Sequence, residues 1–437
     1  MVSLRVVAFL LVTAAVAASE EDLASENARL RGELATLKGA DPEGATRRVI
    51  EQYLEDSRPA GGAQAATAGY DRGFFLATTD GLHLLRFNLV AQFGWFASRD
   101  FSETHSQAQS VFELESLRLR LTGHAFTDRL TFFLDLELAP SARRFQATAD
   151  TVSEGYFVYH RRPWEHLRFK GGRFRPRFTS GEEAADHALM FAARSIVNEF
   201  FTVGRTEGIA IVVENLRGGR SAVEFSVTNG SERFNPDAPV VGDDSRAVVS
   251  LRWARTLLGE GVPWTHTAYE GDPEQSGEPV LVLGIGFHVE DTVIGSMAQV
   301  RYRQVTVDLT WRHEGNWATL NLFGRFHKDG VSGGGGEDFG AHAAFARFLV
   351  PGRLALAFRL GWIEYAPISG GGSDLFEATF SFIYTWRDEA GSVPGDRLKV
   401  NLDLGYVENV ALGSMTAELS SGFVQGLLFR ALLTVIF

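Results

Sequence analysis

Arginine side chains at alternating positions are the groups in this sequence best suited to chemistry. Only four of the 42 basic residues are lysine, namely Lys38, Lys170, Lys328 and Lys399. Several arginines alternate with apolar residues, which would place them on one polar face of an extended strand. A guanidinium can bind an anion through paired hydrogen bonds, and rings of charge set the selectivity of a pore. The predicted pore-lining residues are Arg118, Arg120, Asp135, Glu137, Arg168, Lys170, Arg252, Arg325 and Arg359.

Carboxylates share these predicted faces, so both signs of charge would line one surface. They include Asp308, Glu377 and Asp403. A mixed lining favours weak selectivity, because facing charges of opposite sign cancel part of each other's field. Each arginine could instead serve only as the partner of a facing acid in a wall ion pair, and the sequence favours neither alternative.

Other kinds of chemistry find little support. The chain has no cysteine, which excludes Cys-ligated metal sites, disulfides and thiol catalysis. The sequence lacks G-x-S-x-G, H-E-x-x-H and Walker A motifs, and its 11 histidines show no metal-ligand spacing. We therefore predict no catalytic residues, no metal and no cofactor, although serine, histidine and acid could still meet inside a barrel as a lipase-type site. The net charge of −12 argues against nucleic acid as a partner.

The first residues have the features of an export signal. Arg5 precedes a short apolar run, and Ala15-Val16-Ala17 forms an A-x-A cleavage site. As a membrane anchor the run would be too short to span comfortably. Residues 1–17 are therefore predicted to be a secretory signal peptide.

A helical prefix follows the signal. Leucines at heptad spacing, with Asn27 at a core position, predict a periplasmic helix within residues 18–56 that could form a short coiled coil. The pattern is short, so a lone solvated helix fits it equally well. A stretch rich in Gly and Ala over 57–69, with Pro59 near its start, is predicted to be a linker.

From residue 70 to 437 the apolar residues recur with a period of two. The runs exceed the usual sandwich strand of about five or six residues, and aromatic residues recur near their ends. Both features favour an outer-membrane barrel over a soluble secreted sandwich. The predicted fold is all-β, a transmembrane antiparallel β-barrel of about 16 strands. The predicted strands lie near 82–98, 111–123, 129–139, 152–160, 167–174, 207–214, 221–229, 246–254, 281–290, 299–311, 316–327, 338–349, 353–365, 375–387, 396–408 and 422–437.

The connections between these runs alternate in length. With both termini on the periplasmic side, every second connection should be short, and most of them are. Residues 255–280 break this rule, which indicates an insertion or a missed pair of strands. The last apolar face ends at Phe437, and a terminal aromatic there resembles the signal by which bacterial outer-membrane barrels engage their assembly machinery.

One connection on the opposite side is long and carries apolar groups. Residues 175–206 would have to bury those groups, and the lumen is the natural place, where the segment would narrow the pore. The alternative is a loop folded over the outer rim. The predicted constriction and anion-binding residues are Arg173, Arg175, Arg194 and Arg205. For Arg194 and Arg205 we favour a stapling role, through Glu199 or Glu207, over direct anion binding.

Four motifs carry a family resemblance. GRFRPRF at 172–178, FAARSIVN at 191–198, GRTEG at 204–208 and FLVPGRL at 348–354 occur in order. Together they resemble the phosphate-selective porin O and P family of bacterial outer-membrane porins. The resemblance implies sixteen-stranded trimeric channels in the outer membrane of Gram-negative bacteria, often with a periplasmic coiled-coil prefix.

The resemblance also implies anion selectivity from an arginine ladder in the lumen and a lysine cluster at the mouth. This chain has no lysine cluster, and its predicted outer loops carry acids instead: Asp237, Asp243, Asp244, Glu337 and Asp338. We therefore predict a passive diffusion channel for small hydrophilic solutes, with some preference for anions such as phosphate, in contact with outer-membrane lipid. The alternatives are a plugged structural or binding barrel and an outer-membrane barrel hydrolase.

Overall fold

A computed structural model describes residues 66–70, 73–100, 108–139, 152–160, 166–230, 248–272, 277–294, 298–329, 335–365, 373–386, 398–411 and 423–436. The chain divides into two compact units, 1–65 and 66–437, and the described residues all belong to the second. The predicted signal peptide, the predicted helix and Phe437 lie outside the described residues, as do Asp237, Asp243 and Asp244.

Strands account for nearly all of the regular structure. They are β1 (Ala66–Tyr70), β2 (Phe74–Thr78), β3 (Leu84–Asp100), β4 (Ala108–Ala125), β5 (Thr127–Glu137), β6 (Val152–His160), β7 (Leu167–Phe174), β8 (Thr206–Asn215), β9 (Ser221–Thr228), β10 (Val248–Leu258), β11 (Val280–Ile294), β12 (Ala298–His313), β13 (Asn316–Asp329), β14 (Gly335–Val350), β15 (Leu354–Tyr365), β16 (Ser373–Trp386), β17 (Leu398–Ala411) and β18 (Phe423–Ile436). The helices are α1 (Ser180–Glu183), the 3-10 turn α2 (Asp186–Ala188), α3 (Ile196–Phe201), α4 (Leu216–Gly219) and α5 (Pro263–Thr267).

The sixteen strands β3 to β18 form a closed antiparallel barrel. Each pairs with the next in the chain, and β18 closes the ring by pairing with β3, where Phe429 lies opposite Ala97. The predicted all-β barrel and its sixteen strands are thus confirmed. Closure removes the open sheet edge that an apolar terminal strand would otherwise present.

A short hairpin precedes the barrel and was not predicted. β1 pairs with β2, and β2 pairs with the first residues of β3, where Phe74 lies opposite Phe87. The partner of β3 then changes to β18, whose Ile436 lies opposite Val90. β1 overlaps the stretch 57–69 that was predicted to be a linker. Its sequence ATAGY carries little strand propensity, and the pairing with β2 supplies what the sequence pattern lacks.

The barrel has two ends with different connections. At the turn end, β4 and β5 are separated by Phe126 alone, β12 and β13 by Glu314 and Gly315, and β14 and β15 by residues 351–353. At the loop end, residues 175–205 join β7 to β8. The connection from β10 to β11, residues 259–279, is at the turn end and is long, so the anomaly at 255–280 is an insertion that contains α5.

The outer face of the barrel is apolar along most strands. Large apolar side chains that alternate with buried ones point outward there, and they include Ile209, Phe287, Leu320, Phe345, Phe358, Phe380 and Leu404. A closed sheet with such a band can face hydrocarbon, because neighbouring strands pair their backbone polar groups and no edge strand is left open. No helix among the described residues is long and apolar enough to cross a membrane.

Candidate pore constriction

The loop 175–205 lies inside the barrel, held by hydrogen bonds to inward-facing wall residues. On one side Arg252 Nη1 of β10 donates to the Phe178 carbonyl at 3.1 Å. On another, Arg359 Nη1 of β15 donates to the Ala193 carbonyl at 2.8 Å. The Ala192 amide donates to Asp403 of β17 at 2.8 Å. The loop therefore crosses the lumen rather than folding over its rim.

Apolar packing fixes the middle of the loop. Phe201 of α3 stacks on Phe323 of β13 with ring centroids 4.9 Å apart. Val197 and Phe201 belong to one buried cluster with residues of β13, β15, β17 and β18. At Gly340 of β14 an added Cβ would lie 2.3 Å from the Phe201 ring, so the close approach of α3 requires glycine there. The inner wall of this half of the barrel is thus built to seat the loop.

A second cluster seats the preceding residues of the loop. Met190 and Phe191 pack on Trp317 and on four inward-facing alanines of the neighbouring strands, Ala344, Ala346, Ala355 and Ala357. Small side chains at these wall positions leave room for a segment inside the lumen. This inner wall is apolar, the reverse of a wall that faces water.

Three ion pairs on this half of the barrel are buried. Arg252 binds Asp308 with both side chains fully buried, and it also donates to Glu183 of the loop at 2.6 Å. Arg325 pairs with Asp338 at 2.7 Å, and Arg359 with Glu377 at 3.3 Å, each side chain 5% exposed or less. These buried pairs join the wall and the loop. They leave no free guanidinium face for a solute.

On the other half, from β4 to β9, the pair of Arg118 and Glu137 is buried, but four other ion pairs reach solvent. Arg168 pairs with Glu214 at 2.7 Å, and their side chains are 35% and 10% exposed. Arg177 pairs with Glu224 at 3.0 Å, with exposures of 30% and 1%. Arg120 pairs with Asp135, and Arg205 with Glu154, the arginines again partly exposed. We call these four the lumen-facing pairs, since solvent reaches them between the loop and the wall.

In three of the four lumen-facing pairs the cation is the more exposed partner. Asp135 is 2% exposed beside Arg120 at 17%, and Glu224 and Glu214 likewise lie behind their arginines. Lys170, beside Glu224, is also more exposed than that acid. A solute in this gap therefore meets guanidinium and ammonium groups first. The exception is Arg205 with Glu154, where both side chains are similarly exposed.

Asp186 joins the loop to this wall. It forms ion pairs with Arg118 of β4, whose Nη2 is 2.8 Å away, and with Arg194 of the loop at 2.9 Å. Burial alone would raise the pKa of Asp186, but the guanidinium groups of Arg118 and Arg194 outweigh it and hold that pKa well below its usual range. The junction therefore stays ionised at any physiological pH.

His187 lies beside this junction. Its Nδ1 is 3.2 Å from Arg120 Nη1, and because arginine only donates, that nitrogen is an acceptor and the ring is neutral. Burial, with Arg120 and Lys399 nearby, lowers the pKa of His187 to about 3.

The predicted constriction arginines differ in position and in hydrogen-bond partner. Arg175 and Arg205 lie on the lumen side, and Arg175 donates to the Glu182 carbonyl at 3.2 Å. Arg194 braces the loop internally, since it binds Asp186 and the carbonyls of Gly181 and Ala184. Arg205 donates to Glu154 of β6. The structure thus shows Asp186 and Glu154 as staple partners, and Glu207 pairs with Arg173.

Arg173 does not lie at the constriction, and that expectation is corrected. It lies opposite Gly155 and Glu207 in the sheet, and it pairs with Glu207 at 2.9 Å. Glu207 shares the outward face of β8 with Ile209, which is 66% exposed. Alternation therefore places Arg173 on the outside of the barrel, because its neighbour Phe174 is the residue that points inward and is fully buried.

The nine predicted pore-lining residues divide between the two halves. Arg118, Arg120, Asp135, Glu137, Arg168 and Lys170 lie on the inner face of β4 to β7, and Arg118 donates to Glu137 at 3.0 Å. Arg252, Arg325 and Arg359 also point inward, but they belong to the buried pairs. Sequence reasoning missed Arg177, Glu154, Asp186 and Glu224. Arg177 could have been found, since it lies in the motif GRFRPRF.

A serine, a histidine and an acid do meet inside the barrel. The Ser250 hydroxyl is 2.8 Å from Nδ1 of His288, whose Nε2 is 3.1 Å from Glu290. Ser250 lies opposite His288 on adjacent strands, and Glu290 follows two residues on. All three side chains are almost completely buried. Among the described residues there is no group of acids and histidines that could hold a metal ion.

Solved structures with a similar fold are bacterial outer-membrane proteins. OmpT, an outer membrane protein of Vibrio cholerae, is 11% identical with a TM-score of 0.55, covering 82% of this chain and 98% of that one. An anion-selective porin from Comamonas acidovorans is 11% identical with a TM-score of 0.55, covering 81% and 100%. The outer membrane channel DcaP of Acinetobacter baumannii is 11% identical with a TM-score of 0.51, covering 85% and 100%.

These likenesses establish the fold. No protein-family model matches the sequence, and a search of curated proteins finds no match. The resemblance of the four motifs to the phosphate-selective porin O and P family therefore stays a prediction.

Proposed function

We propose that the protein is an outer-membrane porin, a passive channel for small hydrophilic solutes that prefers anions. The observation that carries this proposal is a row of lumen-facing cations along β4 to β9, three on these strands and Arg177 at the start of the loop. Arg120, Arg168, Lys170 and Arg177 stand in front of acids that are more deeply buried. A solute that passes between the loop and this wall experiences a positive field.

The mechanism is diffusion with transient binding. An anion can bind a guanidinium through two hydrogen bonds, and the acid behind each cation weakens that attraction. Weak and repeated sites suit conduction, because an ion must leave each site as readily as it enters. Solutes would move from one lumen-facing pair to the next.

The finer parts of the proposal have separate support. The four motifs support phosphate as the favoured anion, and the missing lysine cluster weakens that support. The apolar outer face supports contact with outer-membrane lipid, and the predicted export signal supports passage across the inner membrane. One structure of similar fold is described as a trimer form of Vibrio cholerae OmpT, which together with the motifs supports a homotrimer.

The test is single-channel recording of the purified mature protein in a planar bilayer. We expect open channels, a reversal potential in a salt gradient that shows anion preference, and partial block by added phosphate. Cation preference, or no effect of phosphate, would keep the porin and reject the phosphate preference. Silence from a correctly folded, heat-modifiable barrel would reject the channel and favour the plugged structural or binding barrel.

The hydrolase is the second candidate, since Ser250, His288 and Glu290 form a hydrogen-bonded chain. Its serine is 1% exposed and its histidine 0%, so no ester could reach the hydroxyl. We therefore propose that the protein is not an enzyme. Hydrolysis of a p-nitrophenyl ester by the wild type, lost in Ser250→Ala, would overturn this.

A further inference from the structure

The first part of the connection from β10 to β11, residues 259–272, is a second segment inside the lumen. We call it the insert. Leu258 lies opposite Leu281 in the sheet, so a tight turn could have joined these two strands. The chain instead leaves the turn end, enters the barrel and meets the loop.

The insert is anchored to the wall by Trp264. Its ring is buried in a cluster with Val212, Ala222 and Ala254, inward-facing residues of β8, β9 and β10. On its other side the Arg177 guanidinium lies 4.1 Å from the ring centroid. A cation over an indole face is a favourable contact. The start of the loop thus lies against the insert.

The next residues of the insert bind the loop directly. The Glu270 amide donates to the Ala188 carbonyl at 3.2 Å. In return, the Met190 amide donates to the Glu270 carboxylate at 2.8 Å. The Thr267 hydroxyl donates to Glu183. These contacts join the two segments in the middle of the lumen.

The insert then returns along β12 to β14. Arg312 donates to the Tyr269 carbonyl, and the Gly315 amide donates to Asp272 at 2.9 Å. Gly271 has a φ of +89°, and an added Cβ would lie 2.7 Å from the Met190 sulfur. Both the backbone angle and the space require glycine there.

A polar recess lies between the loop, the insert and the wall of β12 to β14. Its wall is lined by Thr310, Trp317, Thr319, Asn321 and His342. Polar side chains at inward positions are typical of a wall that faces water. Here they are almost completely buried, and the remaining cavity is about 10 Å³, room for about one water molecule.

We propose that the insert is a second constriction element, which seals this polar recess from the turn end. With the loop above and the insert below, the lumen along β10 to β14 is closed, and solutes are confined to the lumen-facing cations of β4 to β9. The path assigned to solutes rests on the proposed function, whereas the sealing of the recess by the insert is independent of it.

The test uses thiol labelling, for which a chain without cysteine is a clean background. Thr319→Cys reports the recess, and Arg168→Cys reports the gap along β4 to β9. Each is made in the full chain and in a chain whose residues 260–278 are replaced by a short Gly-Ser turn. We expect a water-soluble methanethiosulfonate to label Arg168→Cys quickly in both chains, and Thr319→Cys at least about tenfold faster once the insert is removed.

Two results would overturn the proposal. One is rapid labelling of Thr319→Cys in the full chain, and the other is equally slow labelling after the insert is removed. If the replacement prevents folding, Trp264→Ala removes only the wall anchor and should still speed the labelling of Thr319→Cys. Labelling needs no current, so silent channels would reject the proposed function while the labelling contrast still decides the role of the insert.

Discussion

The two halves of the lumen use the same side chains in opposite ways. Along β10 to β18 the arginines are sealed beneath the loop with their acids, and Arg252 and Asp308 are fully buried. Along β4 to β9 the four lumen-facing pairs reach solvent, and Arg168 is 35% exposed. The first arrangement holds a segment in place, whereas the second leaves a charged surface for a solute. Burial, rather than residue type, separates the structural arginines from those available for binding.

The largest expected effect comes from breaking a buried pair. Arg252→Ala leaves Asp308 and Glu183 buried without their cation, which costs about 3–5 kcal/mol for a pair of this kind. We expect a lower urea midpoint for the loss of the folded, heat-modifiable form. The matched control is Arg301→Ala, since Arg301 pairs with Asp291 at the surface and is 54% exposed. A similar fall in the urea midpoint of both variants would contradict the distinction between buried and exposed ion pairs.

The next largest loss of stability is expected where α3 of the loop packs against the barrel wall. Gly340→Ala places a methyl group 2.3 Å from the Phe201 ring, and overpacking of this sort costs about 1–3 kcal/mol. The control is Gly324→Ala on the neighbouring strand, where the nearest atom to an added Cβ is 3.8 Å away. Urea titration should separate the two variants. In bilayers, Gly340→Ala should also give noisier currents, because α3 is displaced from the wall.

Substitution of a lumen-facing arginine should change the ion selectivity of the channel, with little change in the stability of the barrel. Arg168→Gln removes a partly exposed cation and leaves Glu214 facing the gap, so the reversal potential in a salt gradient should shift toward cation preference. Arg301→Gln removes a cation from the outer surface and should leave the reversal potential unchanged. If the two variants shift the reversal potential equally, the permeating ions do not pass along β4 to β9.

The smallest effect is expected from pH. The pKa of His187 is lowered to about 3, against about 6.5 in an unfolded chain. The stability that depends on neutral His187 is present above about pH 6.5 and is lost as the pH falls toward 3. Urea midpoints at pH 7.5 and pH 4.5 should therefore differ less for His187→Gln than for the wild type. Equal pH dependence in the two proteins would contradict this role.

Asp186 contributes with the same sign as His187, but at lower pH, because its ordinary pKa of 3.8 is already lower than that of histidine. Its pKa is held well below the usual range, so the stability from its pairs with Arg118 and Arg194 persists to strongly acidic pH. Acid should therefore weaken the contact at His187 before it weakens the junction at Asp186.

The sequence predicted the strands well and the orientation of particular side chains less well. Alternation located all sixteen barrel strands, but β1 has the weak pattern ATAGY and was assigned to a linker. Arg173 was placed in the constriction because it lies in a motif, although its neighbour Phe174 is the inward residue. Staples were expected through Glu199 or Glu207, and the structure shows Arg194 paired with Asp186 and Arg205 paired with Glu154. Pairing across the lumen depends on where the loop crosses, which local spacing does not encode.

Alternation of apolar and polar residues by itself located the strands and their number, because a period of two assigns every strand residue to one of two faces. The length of the runs and the aromatic residues near their ends then favoured a closed barrel over a sandwich. Alternation also determined which residues could carry charge inside. Only the tertiary structure decided which of those charges meet solvent, because the loop and the insert bury the arginines of β10 to β15 and leave gaps beside Arg120, Arg168 and Arg177. Arg168 and Arg252 follow the same sequence rule, and what lies over each of them makes one accessible and the other buried.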